Sequence, residues 1–456
     1  MPPRRIHPVR TDVTLYVDGE EVPAVRSEPV AVALAAAGRL VLGRSVKYHR
    51  PRGAACYAGR CDGCLMRVDG VSSRMVCRVP ARDGMRIETQ NVLGSAEHDL
   101  LAATDWFFPG GMNHHEMFTW SKTVNRAMQS IARRVAGVGT LPDEPAAPVP
   151  PIDERADVAV IGGGPTGLVA AAHAARAGLR VVVIDEEDAP GGHLTWAPGT
   201  VSWRAGEAVP AHVAARQLVD EARAAGVEIR SRCAAIAIYN PSPEGALVVA
   251  DGDDALLRVH ARRIVLAQGR HEGAWAFEGN DLPGVIGSEA ACRLLARGVL
   301  PGERVVLAGP IAHRDPAAAR LRALAEAIIA AGARVHGPVE LAALARARGR
   351  NGVRACELRT ERGISRVECD AIVVASPTSA VFELADQAGV EIAWRNGCFE
   401  VVADPRDGAT RSPCARVIGR GAAVESLEEG IAQAIAAARA IAAELGAPAR
   451  EVERGG

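Results

Sequence analysis

Val13, Leu15 and Val17 alternate with polar residues and run into Asp18-Gly19, a pair favoured in two-residue turns. Residues Val13 to Ala24 therefore read as a β-hairpin. Pro29 to Ala37 reads as a short alanine-rich helix stopped by Gly38. Val68-Asp69-Gly70-Val71 repeats the hairpin-turn chemistry, and Arg86 to Thr89 closes the same sheet. Further along, the alternation gives way to solid apolar runs. Asp157 to Ile161 is a strand, Leu168 to Ala177 an alanine-rich helix, and Arg180 to Ile184 a second strand. That order is a βαβ unit, which implies a parallel sheet and a right-handed crossover. A second set follows at Arg304 to Ala308, Ala317 to Ala331 and Ala333 to His336.

The expected architecture is α/β. An N-terminal β-grasp domain spans residues 11–95, and a two-dinucleotide-binding Rossmann-type domain spans 153–447, with its second nucleotide-type subdomain inserted at about 290–375. Residues 96–152 connect them. There Trp106, Phe107, Phe108, Met112, Met117, Phe118 and Trp120 crowd together, as in a segment packed against a neighbour. Pro142, Pro145, Pro148, Pro150 and Pro151 then make a semi-rigid linker, extended by about 3 Å per residue where it is polyproline-like.

Composition narrows the partners. Lys and Arg total 53 against 54 Asp and Glu, so the net charge is −1 and no strong field favours nucleic acid or an anionic membrane. Met1 to Arg10 is basic and proline-rich, without the apolar core of a secretory signal. The most apolar stretch, Ile431 to Leu445, is interrupted by Gln433, Arg439 and Glu444, so no membrane span is expected. The expected compartment is the cytoplasm, where clustered cysteines more often hold metal than form disulfides.

Cys56, Cys61, Cys64 and Cys77 follow the C-x4-C-x2-C pattern with a distant fourth cysteine, the spacing of a plant-type [2Fe–2S] centre. Gly53, Gly59 and Gly63 surround them, where backbone amides must turn toward negative sulfur. A zinc site and a redox disulfide between Cys61 and Cys64 are the competing readings. Cys233, Cys292, Cys356, Cys369, Cys398 and Cys414 show no metal spacing and read as small buried hydrophobes.

Gly162-x-Gly164-x-x-Gly167 lies between strand and helix, with Pro165 and Thr166 opening the helix. The glycines permit a tight turn, approach of a pyrophosphate, and close helix–strand packing. Asp185, followed by Glu186, ends the second strand where a carboxylate accepts from ribose hydroxyls. Gly191-Gly192 marks another close approach, with His193 beside it. FAD and NAD share the ADP half that these residues would bind. Ile264 to Gly269 looks like the strand that returns to the nucleotide in flavoproteins of this kind, with Ala267-Gln268-Gly269 in place of their usual Ala-Thr-Gly. The second set has only Ala308-Gly309-Pro310 after its strand, a poor nucleotide loop.

Gly43 to Gly53 (GRSVKYHRPRG), Asp157 to Gly167, Ala267 to Gly269 and Phe277 to Val285 (FEGNDLPGV) resemble the alpha subunit of heterotetrameric sarcosine oxidase, as does the Phe107–Gly139 connector. The family's C-terminal folate-binding aminomethyltransferase region has no counterpart in this sequence. The four cysteines resemble the ferredoxin-like part of hydrogen cyanide synthase, opine oxidases and D-hydroxyproline dehydrogenase. The resemblance implies a D-amino-acid-oxidase-like FAD subunit that oxidises a C–N bond, further small subunits, and an FMN at a subunit interface. It also implies an alpha-like chain that carries a dinucleotide, FAD or instead NAD, and a cluster. One departure is Gly419-Arg420, where flavoproteins of this fold commonly have Gly-Asp.

The expected function is electron transfer within a multisubunit flavin-dependent amine or imino-acid dehydrogenase or oxidase, toward an acceptor the sequence does not name. A self-contained NADH-dependent [2Fe–2S] flavoprotein reductase is the alternative, and a non-enzymatic scaffold the third reading. Lys47, Arg50 and Arg52 precede the cysteine loop and suit an FMN phosphate, a positive field on the cluster, or plain salt bridges. His114-His115-Glu116 reads as no metal site, since adjacent side chains point apart.

Overall fold

A computed structural model describes residues 3–8, 10–45, 49–92, 94–100, 119–135, 149–204, 207–252, 255–312, 316–395 and 397–447. Lys47, the His114-His115-Glu116 run, most of the aromatic segment and the linker prolines before Pro150 lie outside them. The chain divides into two compact units, 1–146 with 274–376, and 147–273 with 377–456.

In the first unit the N-terminal sheet runs in the order Glu20–Ala24, Val13–Val17, Arg86–Glu88, Leu65–Val68, Val71–Met75. Asp18 and Gly19 both take positive φ, 50° and 87°, as the tight turn between the first two strands requires. Helix Val30–Ala36 follows, buried along nearly its whole length, and Gly38 ends it at φ 78°. Val13–Val17 pairs in parallel with Arg86–Glu88, and the hairpins are antiparallel, which is the β-grasp arrangement. Its interior is Leu15, Leu34, Met66 and Ile87, all at most 1% exposed. Each such side chain contributes about 1.5–3 kcal/mol by leaving water.

The same unit holds a smaller α/β subdomain. Its parallel sheet runs Val285–Gly287, Ala371–Val374, Arg304–Ala308, Arg334–Val339. Helices Ser288–Ala296 and Pro316–Ala330 connect its strands, and an antiparallel three-strand sheet, Leu344–Gly349, Val353–Thr360 and Gly363–Glu368, joins it.

The second unit is built on Pro151–Ile161, flanked in parallel by Val181–Ile184 on one side and Leu256–Leu266 on the other. Glu228–Arg230 extends one edge, and Gly245–Gly252 with Cys233–Ser242 forms an antiparallel meander at the other. Val181–Ile184 is buried at every position, as expected of a strand covered on both faces. The central strand starts at Pro151, well before the apolar run that betrays it in the sequence. Its first half alternates, with Glu154 and Ala156 buried and Asp153 and Arg155 exposed, and pairs with Leu256–Ala261. Helix Pro165–Arg176 packs between the sheet and the C-terminal helix Leu427–Glu444. Among the described residues, no helix is long and apolar enough to cross a membrane.

Candidate cofactor sites

The β-grasp fold brings Cys56, Cys61, Cys64 and Cys77 together. The first three lie on the loop before strand Leu65–Val68, and Cys77 lies just beyond strand Val71–Met75, its neighbour Val76 donating its amide to Cys64 O at 3.1 Å. Cys64 and Cys77 are buried at 0% and 4% exposure, while Cys56 and Cys61 are partly covered. The thiols form a hydrogen-bonded run, Cys61 with Cys56, Cys56 with Cys77, and Cys77 with Cys64. Among the described residues, no three His, Cys, Asp or Glu side chains converge on a position for one metal ion. A two-iron rhomb needs no such convergence, since it takes one thiolate pair per iron.

Backbone amides point at the sulfurs. Ala58 and Arg60 donate to Cys56 Sγ at 3.4 and 3.3 Å, and Gly59 donates to Cys77 Sγ at 3.2 Å. Such donors stabilise negative sulfur. Without metal, crowding resists ionisation. The bond with Cys56, then burial, raises the Cys61 thiol. The Cys56 bond lowers Cys77, but its bond with Cys64 and its burial outweigh this and push it up to about 12. Cys64 is lowered by its bond with Cys77, against burial. A cationic metal pair would remove this conflict. Gly63 has no room for a side chain, because a Cβ there would run into the Gly53 carbonyl.

The GRSVKYHRPRG and FEGNDLPGV segments meet beside this loop. Arg50 and Arg52 both approach Asp281, at 3.8 and 3.7 Å. Gly53 packs on Pro283, and Gly287 donates its amide to Ala55 O at 3.0 Å, one residue from Cys56. Arg50 and Arg52, whose sequence readings included plain salt bridges beside a phosphate or a field on the cluster, thus share an aspartate that nothing in the sequence linked to them.

In the second unit, strand Pro151–Ile161 delivers the chain into Gly162, whose φ of 103° makes the turn. Pro165 opens the helix at a position that needs no N–H. Gly167 packs so closely under Gly162 that a Cβ there would strike the Gly162 carbonyl. Gly191 donates to Gly163 O at 2.7 Å, and a Cβ on Gly192 would come within 2.8 Å of Gly164 Cα. The loop is therefore backbone against backbone at the N-terminus of a helix, the arrangement this motif uses toward a pyrophosphate.

Asp185 is 6% exposed, and its carboxylate turns onto the loop, accepting from the Gly163 amide and, at 2.8 Å, from the Glu187 amide. It braces the glycine turn. Glu186 follows it, half-buried. Thr166 directs its side chain against Gly419 and Gly430, where either Cβ would collide with it. Gly419, at φ 68°, also donates its amide to Gln433 Oε1 at 2.7 Å, and Gln433 donates to Asp404 O at 3.3 Å while 2% exposed. Gly269, at φ 71°, lies beside Gly421 of the same turn. Gln268 Oε1 is buried without a hydrogen-bond partner, an acceptor that a nucleotide donor would satisfy. Arg420 is held by Glu425 at 3.3 Å. His193 sits in the short turn Gly192–Thr195, edge-on to Trp196 at 6.4 Å. Gly163 and Gln433 escaped the sequence reading, which had marked Gln268 and Gly419 only within departures from the flavoprotein pattern. The only signal toward Gln433 was Gly419, since nothing local links that glycine to a glutamine in the next helix.

Burial lifts the Asp185 carboxyl to about 6, outweighing the Glu187 and Gly163 amides that lower it. The folded chain therefore favours the protonated acid. That contribution is full below the unfolded value of 3.8 and is lost as pH rises through about 6. Relative to Asp185→Asn, nucleotide-free wild type should lose about 3 kcal/mol between roughly pH 3.5 and 6.5. Paired urea titrations across that range measure it, and a constant difference would contradict the buried, ionisable carboxyl.

A family model described as 2Fe-2S iron-sulfur cluster binding domain matches residues 10–92, and one described as FAD dependent oxidoreductase matches residues 157–413. The chain belongs to the FAD dependent oxidoreductase family. This oxidoreductase is 28% identical, over 98% of its length, to the sarcosine oxidase subunit alpha of Rhizobium meliloti (strain 1021), and spans about half (47%) of that relative. Its N-terminal part is 37% identical to the hydrogen cyanide synthase subunit HcnA of Pseudomonas aeruginosa, over 18% of this chain and 78% of that protein. It is thus a sarcosine oxidase alpha-like FAD oxidoreductase with a fused ferredoxin-like domain. The crystal structure of L-proline dehydrogenase from P. horikoshii shares the fold, with a TM-score of 0.74, 22% identity, and coverage of 99% of this chain and 77% of that one.

Proposed function

We propose that this chain is the electron-transfer, alpha-like subunit of a multisubunit flavin-dependent amine or imino-acid dehydrogenase or oxidase. The observation that carries the reading is the presence, on one chain, of four mutually hydrogen-bonded thiols and a tightly turned glycine loop at a helix N-terminus. When bound, a [2Fe–2S] cluster supplies one-electron transfer and FAD supplies two-electron exchange. Cys56 and Cys61 would hold one iron, and Cys64 and Cys77 the other. The amides of Ala58, Gly59 and Arg60 spread the sulfur charge, and buried Tyr57 and Ala58 exclude water from the inner sulfurs.

Gly162, Gly164, Pro165, Thr166 and Gly167 would receive the nucleotide phosphates. Asp185 fixes the loop, and Glu186, Gly192 and Gly269 border the site. FAD is the proposed occupant and NAD its competitor. The relatives are named as subunits, which supports a partner. We assign amine oxidation to a D-amino-acid-oxidase-like FAD subunit, with an FMN at the shared interface, and assign this chain the relay to an external acceptor.

Co-expression with such a partner, followed by cofactor extraction, tests the reading. Iron, acid-labile sulfide and FAD should be found on this chain, and amine oxidation only in the complex. Amine oxidation by the chain alone, or rapid bleaching of its iron–sulfur absorption by NADH, would favour a self-contained reductase instead.

A further inference from the structure

We propose that the ring of Tyr57 sets the reduction potential at the cysteine site, and that tyrosine is kept there on a backbone that favours glycine. The inference rests on the iron–sulfur reading of Cys56, Cys61, Cys64 and Cys77, and adds the residue that decides how readily the site accepts an electron. Among the described residues, ten other than glycine hold a positive φ, and most of them are Asp, Asn, Ser or His. Tyr57, at φ 50°, is the one Tyr, Phe or Trp among them. A bulky side chain is disfavoured in that region, and such outliers persist where the surrounding structure enforces them.

The cysteine loop shows what enforces it. After Cys56 the chain turns so that the amides of Ala58, Gly59 and Arg60 face sulfur, at 3.4, 3.2 and 3.3 Å. The other left-handed position in this loop is Gly59, at φ 72°. Glycine would serve the turn at residue 57 as well. Tyrosine serves it with a side chain that is 9% exposed, although Cys56 before it is only partly covered and Arg60 beyond it is exposed. Its hydroxyl lies within electrostatic reach of all four thiols, the inner pair Cys64 and Cys77 foremost. The side chain is thus folded inward over the sulfurs and not outward into water.

The amides supply the hydrogen bonds that the turn offers to sulfur. What the ring adds is dry volume. Reduction at this site takes up one electron and no proton, and breaks no bond. The negative charge carried with four thiolates therefore grows by one in place. Added charge is costlier where water is kept out. A ring standing where water would stand opposes reduction and holds the potential low, while the amides act in the opposite sense. Without the ring, water gains access to Cys64 and Cys77, which are 0% and 4% exposed in its presence.

The test uses the full chain, purified without oxygen. Its cluster is first verified by visible absorption and electron paramagnetic resonance. Potentials are then read by dye-mediated titration for wild type, Tyr57→Phe, Tyr57→Ala and Tyr57→Gly. The Ala and Gly variants should each raise the equilibrium constant for reduction about tenfold, which is about 59 mV for one electron. The Phe variant keeps the ring and should stay within about twofold of wild type.

Wild-type potentials in both the Ala and Gly variants, or a fall in place of a rise, would overturn the proposal. So would a shift in the Gly variant without one in the Ala variant, which assigns the effect to relief of the backbone. A shift in the Phe variant equal to that in the Ala variant assigns it to the hydroxyl, and also overturns the role of the ring. If the Ala and Gly variants hold no cluster, Tyr57→Leu decides. A rise of about threefold there supports the proposal, and an unchanged potential removes it. A wild-type preparation with no cluster spectrum defeats the iron–sulfur reading itself, and this is seen before any titration.

Discussion

Cys64→Ala is expected to strip this oxidoreductase of its iron, from about two atoms per chain to near zero. Cys64 is the least exposed of the four cysteines, at 0%, and its thiol is hydrogen-bonded to that of Cys77. Removing it leaves one iron with a single protein thiolate, in a place where burial keeps water from serving as a substitute. Iron and sulfide assays and the electron paramagnetic resonance of the reduced protein read the result. Cys398→Ser, in a hairpin of the other unit, should leave both at wild-type values. Stoichiometric zinc in wild-type protein, lost in the Cys64 variant, would replace the two-iron reading with a tetrahedral one.

Gly167→Ala should empty the dinucleotide site and cost its unit at least about 3 kcal/mol, beyond ordinary overpacking. The added methyl meets the Gly162 carbonyl and lies 3.1 Å from Ala267 Cβ. Neither neighbour can yield easily. Gly162 donates its own amide to Ile184 O at 2.9 Å, and Ala267 donates to Ile161 O at 2.8 Å, so both are tied to the strand ends of the sheet. Helix Pro165–Arg176 would have to move off the sheet, and the amides at its N-terminus would leave the phosphate position with it. Flavin released on denaturation and the thermal midpoint are the measurements. A variant with full flavin content and unchanged melting would show that helix and strand are not in the contact described.

The parts of the fold legible in the sequence are those specified by neighbours along the chain. Asp18-Gly19 sets a two-residue turn by backbone conformation alone, and Val181–Ile184 declares a buried strand by its unbroken apolar run. The start of the central strand was hidden. Residues 151–156 are proline-flanked and charged, and become strand only because Leu256–Ala261 lies alongside to accept their hydrogen bonds. The antiparallel meanders were missed for the same reason, since their alternation is weak and their partners are other strands.

The cofactor sites divide in the same way. Spacing alone named Cys56, Cys61, Cys64 and Cys77 and the Gly162–Gly167 loop, because a two-iron rhomb and a pyrophosphate each demand particular residue types at short separations in the chain. Tertiary structure decided the rest. It turned Asp185 onto the loop backbone, seated Thr166 against Gly419 and Gly430, tied Gly419 to Gln433, and set Arg50 and Arg52 on Asp281. Those pairings join residues as far apart as Thr166 and Gly430, and side-chain direction and burial, which choose among such partners, exist only once the sheets have assembled.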